Sequence, residues 1–251
     1  MSNVLLIGYG NVGKATARSL PLANIEIHDP YKGLVVDNPK NYSYAIVCVD
    51  TLQSGPEDYS DLDSVLKYLS GYSGKVVVRS TIAPNKAREL FKLFGNNLIL
   101  FPEFMDHHDF KSQRDPASRI VLGGATEETQ TFFDLLGDMG YPWIRETFFV
   151  SHAEASIIKL SSNAALATKV ILFNTIYNIC QDYEVPYDEV RKAIGADSRI
   201  GVGHTVVPSP DDGKLGFGGH CLPKDIKAIA GIDKLGFFSF IDNLNKKLGR
   251  S

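Results

Sequence analysis

Cysteine is scarce in this chain: three residues in 251, at Cys48, Cys180 and Cys221. Three thiols cannot build a disulfide framework, and no Cys-x-x-Cys occurs. A stapled secreted scaffold and a structural zinc site are both excluded from the expectation. The six histidines form no His-Glu-x-x-His pattern, so no metal is expected. Charge of one sign is missing too: 26 basic against 29 acidic side chains leave a formal net charge of -3. General nucleic-acid binders are strongly basic, so no nucleic-acid partner is expected. An anionic substrate stays open, because a phosphate needs only a few local donors. No uninterrupted apolar run reaches the roughly 18 residues of a membrane span. Residues 2–8 enter a strand at once, with neither the basic region nor the cleavage pattern of a secretory leader. The expectation is a cytoplasmic protein with no membrane partner.

What is present is enough apolar residue for a core, 44% of the chain. The length suits one large domain or two modest ones. The first half reads as alternating strand and helix. Short, almost wholly apolar runs at 4–7, 25–28, 44–49, 75–78, 97–100 and 119–122 suit parallel strands covered on both faces. Helical stretches fall at 12–19, 62–69, 85–94 and 126–136. Thr126 is read as the N-cap of the last, with Glu127 and Glu128 in its electropositive first turn. The pattern predicts an open α/β sheet over residues 1–145. Glycine and proline are then absent from 152 to 182. Apolar residues recur there at three and four, through Ile157, Leu160, Ala164, Ala167, Val170 and Ile171, with Asn174 a polar intruder. This predicts one long helix and a helical region over 150–251. A helix of that length crosses between domains or builds a subunit interface, so a homodimer is expected. A shorter helix over 187–194 and another starting near Pro223 follow, separated by Gly- and Pro-rich chain.

Two motifs carry chemistry. Gly8-Tyr9-Gly10-Asn11-Val12-Gly13 closes the first strand and opens a helix. In that context Gly8 allows a tight turn, Gly10 a close approach of pyrophosphate, and Gly13 close helix packing. The helix N-terminus would face the phosphate charge. Asp29 stands just past the second strand, where a carboxylate accepts ribose hydroxyls and repels the 2′-phosphate of NADP. NAD is therefore the expected cofactor, although Lys32 lies close by. The competing reading gives these glycines a tight turn and nothing more. Asp50-Thr51 and Ser80-Thr81 follow apolar strands, where α/β sheets bind ligands; helix capping is the alternative for both pairs.

The second motif is Gly216-Phe217-Gly218-Gly219-His220-Cys221-Leu222-Pro223-Lys224-Asp225. Cys48 lies in an apolar strand and Cys180 in a helical pattern, and both read as quiet buried cysteines. Cys221 differs, with glycines before it and a Lys-Asp pair after it. A thiol there, beside a redox cofactor, suggests oxidation of a carbonyl through a covalent thioester.

The sequence as a whole resembles the UDP-glucose/GDP-mannose dehydrogenase family. The resemblance lies in GYGNVG at 8–13, STIAP at 80–84, PEF at 102–104, EASIIKLSSNA at 154–164, DSRIG at 197–201 and GFGGHCLPKD at 216–225, in family order. It implies an α/β, Rossmann-type NAD-binding domain over 1–145. A helical domain over 150–251 would follow, similar to the C-terminal domain of 6-phosphogluconate dehydrogenase. It implies four-electron oxidation of a nucleotide-sugar primary alcohol to the carboxylate, with UDP-glucose the first substrate to consider. Cys221 matches the nucleophile. Lys159 and Asn163, four apart on the long helix, match the pair that stabilises charge on the reacting oxygen. Glu103 matches a glutamate that assists proton transfer through water, Thr81 a threonine near that water, and Asp225 an aspartate beside the thiol. Lys224 is placed on the cofactor side or paired with Asp225. Glu103, Phe104, Met105, Arg199 and Gly218 are assigned to the substrate; Arg199 has the alternative of tying a helix end to its loop. Gly8 to Gly13, with Tyr9, Asn11 and Val12, and Asp29, Lys32, Asp50, Thr51 and Thr81, are assigned to NAD.

The sequence departs from the family pattern in three places. His220 stands before Cys221 where the family usually has a small residue or proline, and no role is assigned to it. His107 and His108 follow PEF where the family usually has other residues, which leaves the sugar open. Only residues 228–251 follow the thiol loop, so the family's second α/β domain, which covers the nucleotide, is expected to be absent. Two other readings stay beside the leading one. One is a two-electron NAD-dependent dehydrogenase of a hydroxyacid or sugar acid, in which Cys221 would have no task. The other is a catalytically silent partner of a full-length dehydrogenase.

Overall fold

The computed structural model describes residues 3–105, 119–142 and 146–250. The chain falls into two compact units. The first is Met1–Gln53 with Asp58–Lys159, and the second is Ser54–Glu57 with Leu160–Ser251.

The first unit is a Rossmann-type α/β fold. Its strands are β1 (Asn3–Ile7), β2 (Asn24–His28), β3 (Tyr44–Val47), β4 (Lys75–Val78), β5 (Leu98–Leu100), β6 (Ile120–Gly123) and β7 (Thr147–Val150). They form one sheet in the order β2-β1-β3-β4-β5-β6-β7. β1, β2, β3, β4 and β5 run parallel, as their continuous apolar runs suggested. The strand order reverses direction at β1, so a crevice opens outside the carboxyl ends of β1 and β3. Two features differ from the sequence reading. β6 pairs antiparallel to β5, through Leu100 and Gly123. Its apolar run reports burial on both faces and says nothing of strand direction. β7 was not read as a strand at all: it is an edge strand whose Phe148 and Phe149 remain partly exposed, without clean alternation.

Helices α1 (Asn11–Ser19), α2 (Ser60–Tyr68), α3 (Pro84–Phe94) and α4 (Thr126–Asp138) lie close to the expected positions. The capping role given to Thr126 is corrected. Thr126 is the first helical residue, Ala125 occupies the cap position, and no side chain caps it. Glu127 and Glu128 do stand in the first turn. On the inner face of α4, Phe132 is fully buried. Its ring meets Phe101 edge-on, with centroids 5.8 Å apart, and Tyr44 at 5.6 Å. These rings pack with Val4, Leu6, Ile46, Val77, Ile99 and Leu122 from successive strands. Fully burying each such side chain stabilises the unit by roughly 1.5–3 kcal/mol.

The long helix is α5 (His152–Asp182), the range over which apolar spacing and the lack of Gly and Pro suggested one helix. The sheet continues to Val150 and the first unit to Lys159, beyond the boundary at 145 read from the sequence. The cause is β7, which pairs with β6 along four residues. The division falls inside α5, so this one helix contributes to both units.

The second unit comprises the rest of α5 with α6 (Tyr187–Gly195), α7 (Cys221–Ala230) and α8 (Phe237–Lys247). Its core contains Phe173, Cys180, Tyr187 and Val207. α5 holds no uninterrupted apolar run of 18 residues, but by length and mean composition it is apolar enough to cross a membrane. One 18-residue window there reaches a mean hydropathy of 1.3. The polar residues of α5 argue for a core helix of a folded unit, because Lys159, Asn163 and Asn174 each bond to other protein groups. α7 starts at Cys221, two residues before the proline taken as its first turn. α8 was not anticipated.

Candidate active site

The first glycine motif forms the turn at the end of β1. Gly8 has φ +87°, and a Cβ there would lie 2.7 Å from the Cys48 carbonyl oxygen. A Cβ on Gly13 would lie 2.1 Å from the Gly8 carbonyl oxygen, so only glycine lets α1 sit this close to the turn. Gly10 differs, because a Cβ there would meet nothing within 4 Å. It occupies the cap position of α1 with no side-chain cap, and the first-turn N–H groups of Asn11, Val12 and Gly13 point out of the helix end. The bare backbone at Gly10 and these donors fit a dinucleotide pyrophosphate.

Asp29, 5% exposed, lies one residue past β2. Its Oδ2 accepts from the Tyr9 N–H at 2.9 Å and from Lys32 Nζ at 2.7 Å. Burial works against its charge, but the Lys32 ammonium and the Tyr9 N–H outweigh it and hold the carboxyl below its ordinary value. Lys32 therefore serves Asp29 directly. His28, which the sequence did not single out, shapes the same loop. Its ring stacks on Tyr68 at 3.9 Å, and its Nδ1 accepts from the Val36 N–H at 3.2 Å. Burial pushes the imidazole below its ordinary value, which suits an unprotonated acceptor nitrogen.

The pairs after β3 and β4 do not cap helices. Thr51 donates to the Thr81 carbonyl oxygen at 2.6 Å, and Ser80 to the Val49 carbonyl oxygen at 2.7 Å. These bonds tie the carboxyl ends of β3 and β4 together, while the cap positions of α2 and α3 belong to Tyr59 and Ala83. Asp50 is exposed at the same sheet edge.

Past β5, Glu103 meets Lys159. Lys159 Nζ lies 3.0 Å from Glu103 Oε1, and both side chains are almost fully buried. The other carboxylate oxygen accepts from the Met105 N–H at 2.9 Å, and the ammonium lies 5.4 Å from the centroid of the Phe104 ring. Glu103, Phe104, Met105 and Lys159 are thus one cluster within the first unit. A small cavity beside it is lined by Thr81, Pro102, Ser156 and Lys159. His107 and His108 lie outside the described residues.

The thiol side lies in the second unit. Cys221 is the first residue of α7 and is half-buried, whereas Cys48 and Cys180 are buried. Asp225, four residues on, shares its helix face. The Asp225 side chain is fully buried. Its Oδ2 accepts from Asn163 Nδ2 at 2.6 Å, and its Oδ1 from Lys224 Nζ at 2.7 Å. Of the two readings of Lys224, the structure shows the pairing with Asp225. Arg199 is largely exposed and binds Asp197 two residues before it. The loop there is held instead by Lys169, which donates to the Ile200 and Gly201 carbonyl oxygens at 2.7 and 3.0 Å. Asn174, the polar intruder of α5, accepts from the Gly216 N–H at 2.9 Å. Its place on an apolar helical stripe was the signal for that role.

Comparison with known proteins fits this geometry. Residues 153–237 match the model of the UDP-glucose/GDP-mannose dehydrogenase family, central domain. The UDP-glucose 6-dehydrogenase of Rickettsia bellii is 29% identical over 208 residues, covering 78% of this chain and 46% of that protein. The chain thus spans about half the length of the curated relatives it matches. The structure of a UDP-D-ManNAc dehydrogenase from Pyrococcus horikoshii superposes with a TM-score of 0.78 at 18% identity, over 98% of this chain and 68% of that one. A 3-hydroxyisobutyrate dehydrogenase of Mycobacterium tuberculosis gives 0.72 at 16% identity, over 98% and 93%. These two superpositions concern the fold.

Removing one member of the buried ion pair should be costly. Lys159→Met leaves the Glu103 carboxylate buried without its cation and is expected to lower stability by about 3–5 kcal/mol. Adding Glu103→Gln should recover part of that loss. Urea unfolding of the two single variants and the double variant checks this; additive losses would mean that the two groups do not interact.

Proposed function

We propose, from the match of residues 153–237 to the central domain of the UDP-glucose/GDP-mannose dehydrogenase family, that this chain carries the catalytic apparatus of an NAD-dependent, four-electron oxidation. A nucleotide-sugar primary alcohol would become the carboxylate, with UDP-glucose to UDP-glucuronate the first case to test. The observation that carries the reading is Cys221 at the first position of α7, with Asp225, which binds Asn163 of α5, on the same face of α7. The Rossmann-plus-helical architecture is shared with a two-electron hydroxyacid dehydrogenase, so fold does not choose between the chemistries. A thiol at this place has a task only in the longer reaction.

NAD, when bound, would accept one hydride in each of two oxidation steps. Gly8, Gly10 and the N–H groups of Asn11, Val12 and Gly13 would hold its pyrophosphate. Asp29 would accept the adenosine ribose hydroxyls through Oδ1, since its bonds to Tyr9 and Lys32 both fall on Oδ2. The rest is work for the chain's own groups. The Cys221 sulfur adds to the aldehyde carbon, and the carbonyl electron pair moves to oxygen. Lys159 and Asn163 stabilise that oxygen as charge develops on it. Oxidation at the same carbon leaves a thioester on Cys221. A water then attacks the thioester carbon, the C–S bond breaks, and the pair returns to sulfur. Glu103 takes the water's proton, with Thr81 beside it. The half-buried thiol at a helix N-terminus suits a nucleophile, because the partial positive charge there favours thiolate.

We further propose a homodimer formed through the second unit. Its support is the exposed apolar surface of α5 and the following turn, where Leu172, Ile179, Tyr183 and Val185 are 43–77% exposed.

Three measurements test these readings. A panel of nucleotide sugars, simple sugars and hydroxyacids should give two NADH per acid formed, and Cys221→Ser should abolish the acid. One NADH per product, unchanged in Cys221→Ser, would assign the two-electron reaction. No turnover with stable binding to a full-length dehydrogenase would assign the silent partner. Calorimetric titration should show tighter binding of NAD than of NADP, and equal or reversed affinities would remove the role given to Asp29. Sedimentation at micromolar concentration should show a dimer; a monomer alone would refute the interface.

A further inference from the structure

The loop before Cys221 belongs to no strand or helix, yet side chains capture its backbone groups residue after residue. Arg250 Nε donates to the Leu215 carbonyl oxygen at 2.7 Å. Asn174 accepts from the Gly216 N–H. Asn245, on α8 and 2% exposed, does for Phe217 what a neighbouring strand would do. Its Oδ1 accepts from the Phe217 N–H at 2.8 Å and its Nδ2 donates to the Phe217 carbonyl oxygen at 3.0 Å. The Arg250 guanidinium is itself fixed by Asp212, with Nη2 2.9 Å from Oδ1.

The glycines of the loop fit these side chains closely. A Cβ on Gly216 would lie 2.4 Å from Asn245 Oδ1, and one on Gly218 would lie 2.7 Å from Arg250 Nη1. Room for a sugar is therefore not the only reason for glycine here. Two glycines admit the polar groups that hold the loop. The loop ends at Gly219, with φ +75°, and Cys221 opens α7 two residues later.

We infer that Asn245 and Arg250 are positioning residues for the Cys221 nucleophile. They fix residues 215–217 and so determine where the first turn of α7 presents the sulfur. Neither is assigned to the reacting atoms. The inference rests on the proposed role of Cys221, and it adds two residues whose effect reaches the thiol through the backbone of the loop.

Alkylation tests it without needing turnover. The full chain is treated with iodoacetamide at neutral pH, and labelling of each cysteine is followed by peptide mass. Cys48 and Cys180 are buried and report unfolding. In the unaltered chain Cys221 should label while the other two stay protected. Asn245→Ala should slow Cys221 labelling about fivefold or more, because the sulfur loses its fixed place at the helix N-terminus. Arg250→Ala should slow it about twofold to threefold, again with Cys48 and Cys180 protected. Gly218→Ala should slow labelling in the unaltered chain and have little effect in Arg250→Ala, where the methyl displaces nothing. In turnover Asn245→Ala should lower kcat and leave KM for NAD unchanged. Unchanged Cys221 labelling in both variants, with the buried thiols protected, would overturn the inference. If Asn245→Ala exposes Cys48 and Cys180, the Arg250→Ala rate and the Gly218 cycle decide by the same criterion. A Cys221 no faster than the buried thiols in the unaltered chain would instead overturn the nucleophile assignment itself.

Discussion

Lys159 is an ammonium group buried on a helix that runs unbroken for 31 residues, and its charge has to be met where that helix places it. Glu103 meets it from the chain after β5. That requirement fixes the carboxylate, which in turn takes the Met105 N–H and sets the backbone beside Phe104. A turn later the same helix presents Asn163, whose amide goes to Asp225 on α7. One helical period thus places a polar pair in each unit. An uncompensated charge at either place would cost more than the pair yields, so the pairs constrain their surroundings even where their net stabilisation is small.

The two glycine-rich loops use glycine for different physical ends. At the end of β1, Gly8 and Gly13 let backbone touch backbone, and Gly10 leaves open space where a phosphate can approach. Before Cys221, Gly216 and Gly218 let the side chains of Asn245 and Arg250 come against the loop. The first loop leaves its backbone at Gly10 open. The second is shaped inward, toward the residues that hold it. A loop without a strand partner still has to satisfy its buried N–H and C=O groups, and here polar side chains do so.

Much of this was legible in the sequence, for identifiable reasons. Short, mostly apolar runs located the strands from β1 to β6, and apolar spacing of three and four through a stretch without Gly or Pro located α5. The glycine spacing at 8–13 located the tight turn between β1 and α1, and a cysteine after glycines marked the thiol at the start of α7. Strand direction was not legible, since an apolar run looks the same in either direction, and β6 runs antiparallel to β5. β7 escaped because an edge strand with Phe148 and Phe149 half exposed has no clean period. The pairings of Lys32 with Asp29 and of Asn245 with Phe217 depend on chain brought together by the fold. No local spacing announces the second of these. Asn174 did announce itself, as a polar residue on an apolar stripe, though its partner was visible only in the structure.

The central claim is that oxidation passes through a covalent bond to Cys221. The direct measurement is the mass of the protein quenched in acid during turnover of a nucleotide sugar with NAD, followed by peptide mapping. The account requires an acyl adduct of the sugar on the peptide carrying Cys221, labile to hydroxylamine and missing in Cys221→Ser. Acid formed at full rate by the chain with no adduct on Cys221, or with the adduct elsewhere, would contradict it.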